Sequence, residues 1–213
     1  NGSLLSFNKA KLLKENGLDG VTISLDSLRC STNKIINPYS NLSKVIDSIY
    51  IATDIFGSAK INVVVMNNIN SSEIFDIVDR FKKLNVEIRF IEFMDVGETN
   101  EWNLDKVYSS QKICKDISKY FSLSKLTDEF SSTSSKWQLK DYPAKIGFIS
   151  SITQPFCSSC NRARLSADGY FYTCLFASHG YNVLKALRDN SDLHELQDDI
   201  KNIWTKRVDQ YSN

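Results

Sequence analysis

Three short apolar runs, separated by helical patterns, constrain the fold of this 213-residue chain more than any other feature. The runs are residues 21–25, 61–66 and 86–92, and the stretches 43–56 and 71–84 between them have helical periodicity. A crossover that contains a helix brings the next strand back in the same direction, so this order predicts parallel strand pairing. Three such βα units predict half of an α/β barrel.

The start of the helix after residue 70 carries its own signals. Ser71 or Ser72 is a candidate N-terminal cap, because a hydroxyl oxygen there can accept hydrogen bonds from the free N–H groups of the first turn. Glu73 follows in that first turn, where its charge complements the helix dipole. These residues predict a helix through Leu84.

The alternating pattern stops after Gly97. Residues 109–121 predict a further helix, and the Ser/Thr-rich residues 122–135 are typical of a loop. Short strand-like segments follow at 137–140, 146–149 and 170–174, and two helices end near Arg207. This change predicts two domains, residues 1–100 and residues 101–213.

Composition excludes several classes of function. Lys plus Arg number 26 against 25 for Asp plus Glu, so the net charge of +1 gives no broad attraction to nucleic acid or to an acidic membrane. No run reaches the roughly 20 apolar residues of a membrane span, and the first residues show no basic leader. Five cysteines are an odd number, which favours metal or redox chemistry in a reducing compartment. We therefore expect a cytoplasmic protein without nucleic-acid or membrane partners.

The chemistry concentrates between residues 147 and 176. Cys157 and Cys160 are spaced so that both sulfurs can face one metal, and Cys174 follows after thirteen intervening residues. Asp168 and Gly169 predict a hairpin turn, which brings Cys174 back towards the other two cysteines. Three thiolates leave a four-coordinate metal with one open position, as a catalytic or substrate-binding centre requires.

Arg162 and Arg164 lie beside these cysteines, and guanidinium groups suit bidentate contacts with phosphate oxygens. The two arginines beside the cysteines therefore predict a phosphorylated substrate. Spacing alone leaves two alternatives open: a structural zinc site with Cys114 or His179 as fourth ligand, and a thioredoxin-type redox pair. We otherwise interpret four further residues as structural, namely Cys30, Cys114, His179 and His194.

These motifs carry a family resemblance. Residues 157–169, Cys-x-x-Cys-Asn-Arg-Ala-Arg-Leu-Ser-Ala-Asp-Gly, followed by Cys-Leu-Phe, resemble the second-cluster signature of the GTP 3',8-cyclases of molybdenum cofactor biosynthesis. Residues 20–27, 60–66, 88–94 and 146–150 also resemble motifs of that family, in the same order. On these residues the chain is identified as a member of the family over nearly its whole length.

The resemblance implies a fold and an activity. The fold is α/β, the carboxyl-terminal part of a radical S-adenosylmethionine partial TIM-type barrel with an α+β iron-sulfur-binding extension. The activity is that of a lyase, which converts GTP to 3',8-cyclo-7,8-dihydro-GTP by radical chemistry. The family uses two [4Fe-4S] clusters and S-adenosylmethionine, forms dimers, and passes its product to cyclic pyranopterin monophosphate synthase.

The resemblance also implies site residues. Cys157, Cys160 and Cys174 would bind the second [4Fe-4S] cluster, whose open iron binds the guanine base. Without the family, Lys60 is a solvated edge charge, Arg89 an ion-pair partner, Met94 a core residue and Ser24 a satisfied hydroxyl. With it, the expected GTP contacts are Lys60, Arg162, Ala163 and Arg164, the S-adenosylmethionine contacts are Ser24 and Met94, and the catalytic residue is Arg89, pointing away from Ile88 and Phe90.

Two departures from the family qualify this reading. These residues contain no Cys-x-x-x-Cys-x-x-Cys loop for the radical-generating first cluster, and the sequence ends before a terminal Gly-Gly. We therefore expect a fragment that is inactive on its own. Two other hypotheses remain at this point, a structural zinc module that binds a partner protein and a peptide-modifying radical enzyme with an auxiliary cluster.

Overall fold

The computed structural model describes residues 1–95, 102–127, 132–155, 160–189 and 192–208. The chain divides into two compact units. The first comprises Asn1–Met94 and Trp102–Gln154, and the described part of the second lies almost entirely within Pro155–Asn213. No helix among the described residues is long and apolar enough to cross a membrane.

The first unit contains five helices and six strands within its described residues. They are α1 Phe7–Glu15, β1 Thr22–Ser24, α2 Cys30–Ile36, α3 Leu42–Phe56, β2 Ala59–Val65, α4 Ile74–Phe81, β3 Val86–Glu92, α5 Ser110–Ser118, β4 Leu123–Lys125, β5 Ser135–Leu139 and β6 Lys145–Ile149. Short 3-10 turns at Ser71–Glu73 and Leu104–Lys106 precede α4 and α5.

The six strands form one sheet in the order β1-β2-β3-β6-β5-β4. Strands β1, β2, β3 and β6 pair in parallel, which confirms the parallel pairing predicted for the first three. Strands β4 and β5 extend the sheet in antiparallel fashion. The sheet thus includes strands from both sides of residue 100. The domain boundary predicted there stays a prediction.

Burial alternates along strands β2 and β3, and their buried residues contribute to the core. Ile88 and Phe90 are fully buried, and with Ile61 and Val63 of β2 they belong to one apolar cluster with residues of α3, α4 and α5. Burial of this face removes apolar surface from water at roughly 25 cal/mol per Å². The opposite face of the sheet carries the polar residues, because successive side chains point to opposite sides of a strand.

The expectations for the start of α4 are wrong in detail. Neither Ser71 nor Ser72 caps α4, because both lie in the 3-10 turn that precedes it. Glu73 is fully buried, and its carboxylate accepts hydrogen bonds from the Ser27 hydroxyl and the Leu28 backbone N–H, with Oε2 2.8 Å from each donor. The carboxylate therefore connects α4 to the segment after β1 instead of serving the helix dipole alone.

The loop predicted for residues 122–135 is also partly wrong, because it contains β4 and the first residue of β5. Leu123 pairs with Leu139, and Lys125 pairs with Trp137. The pairing with an apolar neighbouring strand supplies the order that a short polar strand lacks by itself. Residues 128–131 lie outside the described residues.

Among its described residues, the second unit contains a three-stranded antiparallel sheet in the order β7-β8-β9, together with two helices. Gly169 adopts a φ of 85°, and Ser166 N–H donates to the Tyr170 carbonyl across the turn at 2.9 Å, so the hairpin predicted at Asp168 and Gly169 is confirmed. The elements are β7 Arg164–Leu165, β8 Tyr170–Tyr172, β9 Tyr181–Asn182, α6 Val183–Arg188 and α7 Leu193–Thr205.

Candidate functional site

Three of the predicted site residues share the polar face of the parallel sheet. Ser24, Asn62, Arg89 and Gly147 lie side by side across β1, β2, β3 and β6. Lys60 lies two residues before Asn62 and therefore on the same face. The structure thus brings Ser24, Lys60 and Arg89 to one surface, although these residues are distant in the sequence.

Arg89 points away from buried Ile88 and Phe90, so its predicted orientation is confirmed. Its Nε donates a hydrogen bond to Glu87 Oε1 at 2.7 Å, and the side chains are only 20% and 12% exposed. Glu87 is not among the residues predicted from the sequence. The signal was present, because Glu87 and Arg89 are opposite charges two residues apart on one face of a strand whose other face is apolar.

Lys60 is exposed near the amino end of β2, where it borders an open cavity of about 360 Å³. The charge is therefore available to an anion that approaches the amino edge of the sheet. The cavity is lined by Asp19, Gly20, Val21, Thr22, Ser58, Ala59 and Lys60.

The two predicted S-adenosylmethionine contacts lie at the other edge of the sheet. Ser24 is the exposed last residue of β1, and half-buried Met94 follows two residues after β3. Parallel strands end at a common edge, so both residues lie at the carboxyl edge, where open α/β sheets bind ligands. Lys60 and Ser24 thus lie towards opposite edges of the same face of the sheet.

A network of hydrogen bonds that was not predicted from the sequence lies at the carboxyl edge beside Ser24. Asp26 Oδ1 accepts a hydrogen bond from Val64 N–H at 2.8 Å. Burial raises the pKa of Asp26, and the bond from Val64 lowers it by less. The Asn70 amide donates to the Asp26 and Val64 carbonyls at 2.7 and 2.8 Å. These bonds join the ends of β1 and β2.

Of the predicted cluster ligands, Cys160 and Cys174 are described, and Cys157 lies outside the described residues. Both described thiols are half-buried and free of disulfides. Among the described residues no group of three or more His, Cys, Asp or Glu side chains is arranged to hold a metal ion. Because Cys157 is not among the described residues, the set of three cysteines stays a prediction.

The surroundings of Cys160 suit a metal-binding thiolate. Arg162 Nη2 donates to the Cys160 sulfur at 3.2 Å, and the Arg207 guanidinium donates to the Cys160 carbonyl. Burial raises the pKa of the Cys160 thiol, but hydrogen bonds from Arg162 and the charges of Arg162 and Arg207 lower it by more. The pKa therefore lies below its ordinary value of 9.0. Thiolates bind metals, and donors to the sulfur tune iron-sulfur clusters, so this donor set fits a cluster.

The predicted GTP-binding segment is extended and alternates in exposure. Arg162 and Arg164 are half-buried, whereas Ala163 between them is exposed. Arg164 begins β7 and pairs with Tyr172. Arg207, which the sequence reasoning did not select, adds a third cation near Cys160 and stacks on Trp204, with its guanidinium carbon 3.7 Å from the ring centroid.

The structure shows the surroundings of the four residues that the sequence analysis interprets as structural. Cys114 packs against the apolar core from α5. Cys30 is exposed at the first residue of α2. His179 Nδ1 lies 2.8 Å from the Ser178 hydroxyl, and His194 lies in the first turn of α7.

Fold and site together define an α/β protein with a polar face on a parallel sheet and a separate unit that carries cysteine and arginine side chains. The chain belongs to the Molybdenum Cofactor Synthesis C family, which matches residues 86–213. The resemblance inferred from the motifs is thereby confirmed. The fold class is also confirmed, because the parallel α/β sheet is that expected of the carboxyl-terminal part of a radical S-adenosylmethionine barrel.

Curated relatives agree with this assignment along the whole chain. The chain is 38% identical to a GTP 3',8-cyclase of Staphylococcus epidermidis (strain RP62A), and it covers 63% of that protein. It is 39% identical to a GTP 3',8-cyclase of Aquifex aeolicus (strain VF5), covering 64% of it, and 37% identical to one of Staphylococcus aureus (strain JH9), covering 63%. The chain thus spans a little less than two thirds of the length of these relatives.

Proposed function

We propose that the protein serves the cyclisation of GTP to 3',8-cyclo-7,8-dihydro-GTP in molybdenum cofactor biosynthesis. The observation that carries the proposal is the identity of 37–39% along the whole chain to proteins named GTP 3',8-cyclase. The polar face with Lys60 and Arg89 supports it, because a triphosphate needs cationic partners. We further propose a cytoplasmic location, a dimer, and transfer of the product to cyclic pyranopterin monophosphate synthase.

Each predicted residue then has a physical role. Lys60 and Arg89 bind anionic groups of GTP, and Arg89 also acts at the reacting part of the substrate. Arg162 and Arg164 contact GTP with Ala163 between them, and their charge favours the anionic substrate. Ser24 and Met94 hold S-adenosylmethionine at the carboxyl edge of the sheet.

Cys157, Cys160 and Cys174 would hold a [4Fe-4S] cluster. When bound, this cluster supplies an open iron position for the guanine base. Arg162 stabilises the Cys160 thiolate through its hydrogen bond to the sulfur. The sequence contains no Cys-x-x-x-Cys-x-x-Cys loop for a first cluster, so we expect a polypeptide of these 213 residues to bind GTP without cyclising it.

Anaerobic reconstitution with iron and sulfide tests the proposal. We expect about four irons per chain, as a [4Fe-4S] cluster requires, and a brown absorbance that changes when GTP is added. Cys157→Ala, Cys160→Ala and Cys174→Ala should each reduce iron content and colour. Cys114→Ala is the matched control, because Cys114 packs against the core of the other unit and should leave the cluster unchanged.

Three results would contradict the proposal. One tightly bound zinc without colour would indicate a structural zinc module. A cluster that responds to a peptide but not to GTP would indicate a peptide-modifying enzyme. Iron binding that survives all three cysteine substitutions would place the cluster elsewhere.

A further inference from the structure

We propose that Glu87 is the positioning residue for Arg89, and that Gly147 is kept without a side chain to make room for this ion pair. The inference rests on the proposed function, because Arg89 is taken there to contact GTP. It adds a residue to the site that neither the motifs nor the comparisons select.

The ion pair itself is the first argument. Arg89 uses Nε for Glu87, which leaves both terminal NH2 groups of its guanidinium for a ligand. Within the described part of the chain this is the one hydrogen bond of the Arg89 side chain. Both side chains are largely buried, so the pair is not a flexible surface contact of the kind that contributes little.

The neighbours of Glu87 supply the second argument. Lys60 and Lys145 flank Glu87 in the register of the sheet. Among the described residues neither lysine lies within 4.0 Å of its carboxylate, and Arg89 is its ion-pair partner. A carboxylate weakens the attraction of this face for a triphosphate, so its presence needs a reason other than charge. Holding the Arg89 guanidinium in one orientation is such a reason.

Gly147 on β6 lies directly beside Arg89 in the register. A Cβ atom there would lie 3.2 Å from Arg89 Cγ and 3.2 Å from Glu87 Oε1, and it would collide with Ser134 Oγ. Ser134 Oγ and the ion pair together therefore fill the space that the missing side chain leaves. A larger residue at this position must displace Ser134 Oγ, and it also crowds the ion pair.

Two polar atoms next to the pair have no hydrogen-bond partner among the described residues. Asn62 Oδ1, on the strand beside Arg89, and Ser134 Oγ, beside Gly147, are buried and form no hydrogen bond within the described residues. Ser134 is only 4% exposed. Buried polar groups are normally paired, so this face has hydrogen-bonding capacity left for a further polar group.

A double-mutant cycle tests the proposal on the reconstituted chain, with GTP as the ligand. Glu87→Gln should weaken GTP binding about tenfold, although the loss of a negative charge alone would strengthen it. In an Arg89→Ala background the same substitution should change the dissociation constant less than about twofold. Gly147→Ala should weaken GTP binding to a similar extent, because the added Cβ atom crowds the ion pair from β6. Asp116→Asn, which removes a more exposed ion pair between Asp116 of α5 and Lys119, is the control and should leave GTP binding unchanged.

A second measurement reports the position of Arg89 without GTP. In ¹⁵N NMR, the Nε proton of Arg89 should exchange slowly with water in the wild type. It should exchange rapidly in Glu87→Gln and Gly147→Ala. An unchanged signal, tighter GTP binding by Glu87→Gln, or equal effects in both backgrounds would overturn the positioning role. If GTP does not bind the wild type at all, the proposed function fails, and the Nε–H signal alone decides whether Glu87 holds Arg89.

Discussion

Glu92→Gln is expected to lower the free energy of unfolding by about 3 kcal/mol at neutral pH, because it breaks a network of buried hydrogen bonds to a charged group. Glu92 is fully buried at the end of β3. Its carboxylate accepts bonds from the N–H groups of Ser110, Ile152 and Thr153 at 2.8–2.9 Å and from the Thr153 hydroxyl at 2.6 Å. A glutamine presents an amide NH2 to some of these donors and leaves them unpaired.

The size of this effect should depend on pH. Burial raises the pKa of Glu92, but the bonds from Thr153, Ser110 and Ile152 outweigh burial and lower the pKa below its ordinary 4.5. A carboxyl with a lowered pKa contributes stability that is present above its unfolded pKa and is lost as pH falls through its folded pKa. Urea unfolding should therefore show a large difference between variant and wild type at pH 7, and a smaller one below pH 4.5.

An exposed carboxylate provides the control for Glu92. Glu15→Gln removes a surface partner of Lys11, 3.9 Å away, and should leave stability unchanged at both pH values. A loss at Glu92 below about 1 kcal/mol, or one that is equal at acid and neutral pH, would show that the four bonds do not hold the carboxylate in its charged form.

Gly169→Ala is expected to destabilise the hairpin of the second unit by about 3 kcal/mol, because two costs add. The φ of 85° is strained for any residue with a side chain, and a Cβ atom would collide with Leu184 Cβ on α6. The hairpin and α6 therefore have to separate. Hydrogen exchange at the amides of Ser166 and Tyr170, which both bond across the turn at 2.9 Å, should report the loss.

Gly57 separates the two costs. It follows α3 with a φ of 75°, and a Cβ atom there would meet nothing within 4 Å. Gly57→Ala should therefore cost only the backbone strain, about 1 kcal/mol. Equal losses at the two positions would mean that the contact of Gly169 with α6 is not tight, whereas protection of Ser166 and Tyr170 that survives Gly169→Ala would contradict the hairpin geometry itself.

The local periodicity of apolar residues was enough to predict the parallel strands β1, β2 and β3. In Val86–Glu92 every second residue is buried, so periodicity identifies both the strand and the orientation of Arg89. Strands β5 and β6 were also visible in the sequence. Their place in the sheet was not, because β6 pairs with a strand that lies far back in the chain. Such pairing depends on tertiary contacts that no local signal contains.

The carboxylates show the same limit at single residues. Glu73 and Glu92 look like ordinary charges at the ends of elements, yet both are fully buried. Their donors, Leu28 for Glu73 and Ile152 for Glu92, are backbone groups remote in sequence. Backbone N–H groups exist at almost every position, so sequence cannot reveal which of them a carboxylate will find. Cys160 and Cys174 could be proposed as ligands because cysteine spacing is itself a signal, whereas no sequence signal indicates the contact of Arg207 with Cys160.

The late position of β6 in the chain links folding to the site. The connections between β1 and β2 and between β2 and β3 are shorter than the connection between β3 and β6, so the pairing of β3 with β6 carries the greatest loop-closure entropy among the parallel pairs. We therefore expect β6 to dock after the first three strands have formed. That step brings Gly147 beside Arg89 and adds Ile146 and Phe148 to the core. A folding intermediate without β6 should therefore lack part of the core together with the neighbour of Arg89, so the pairing expected to form last also completes the surroundings of Arg89.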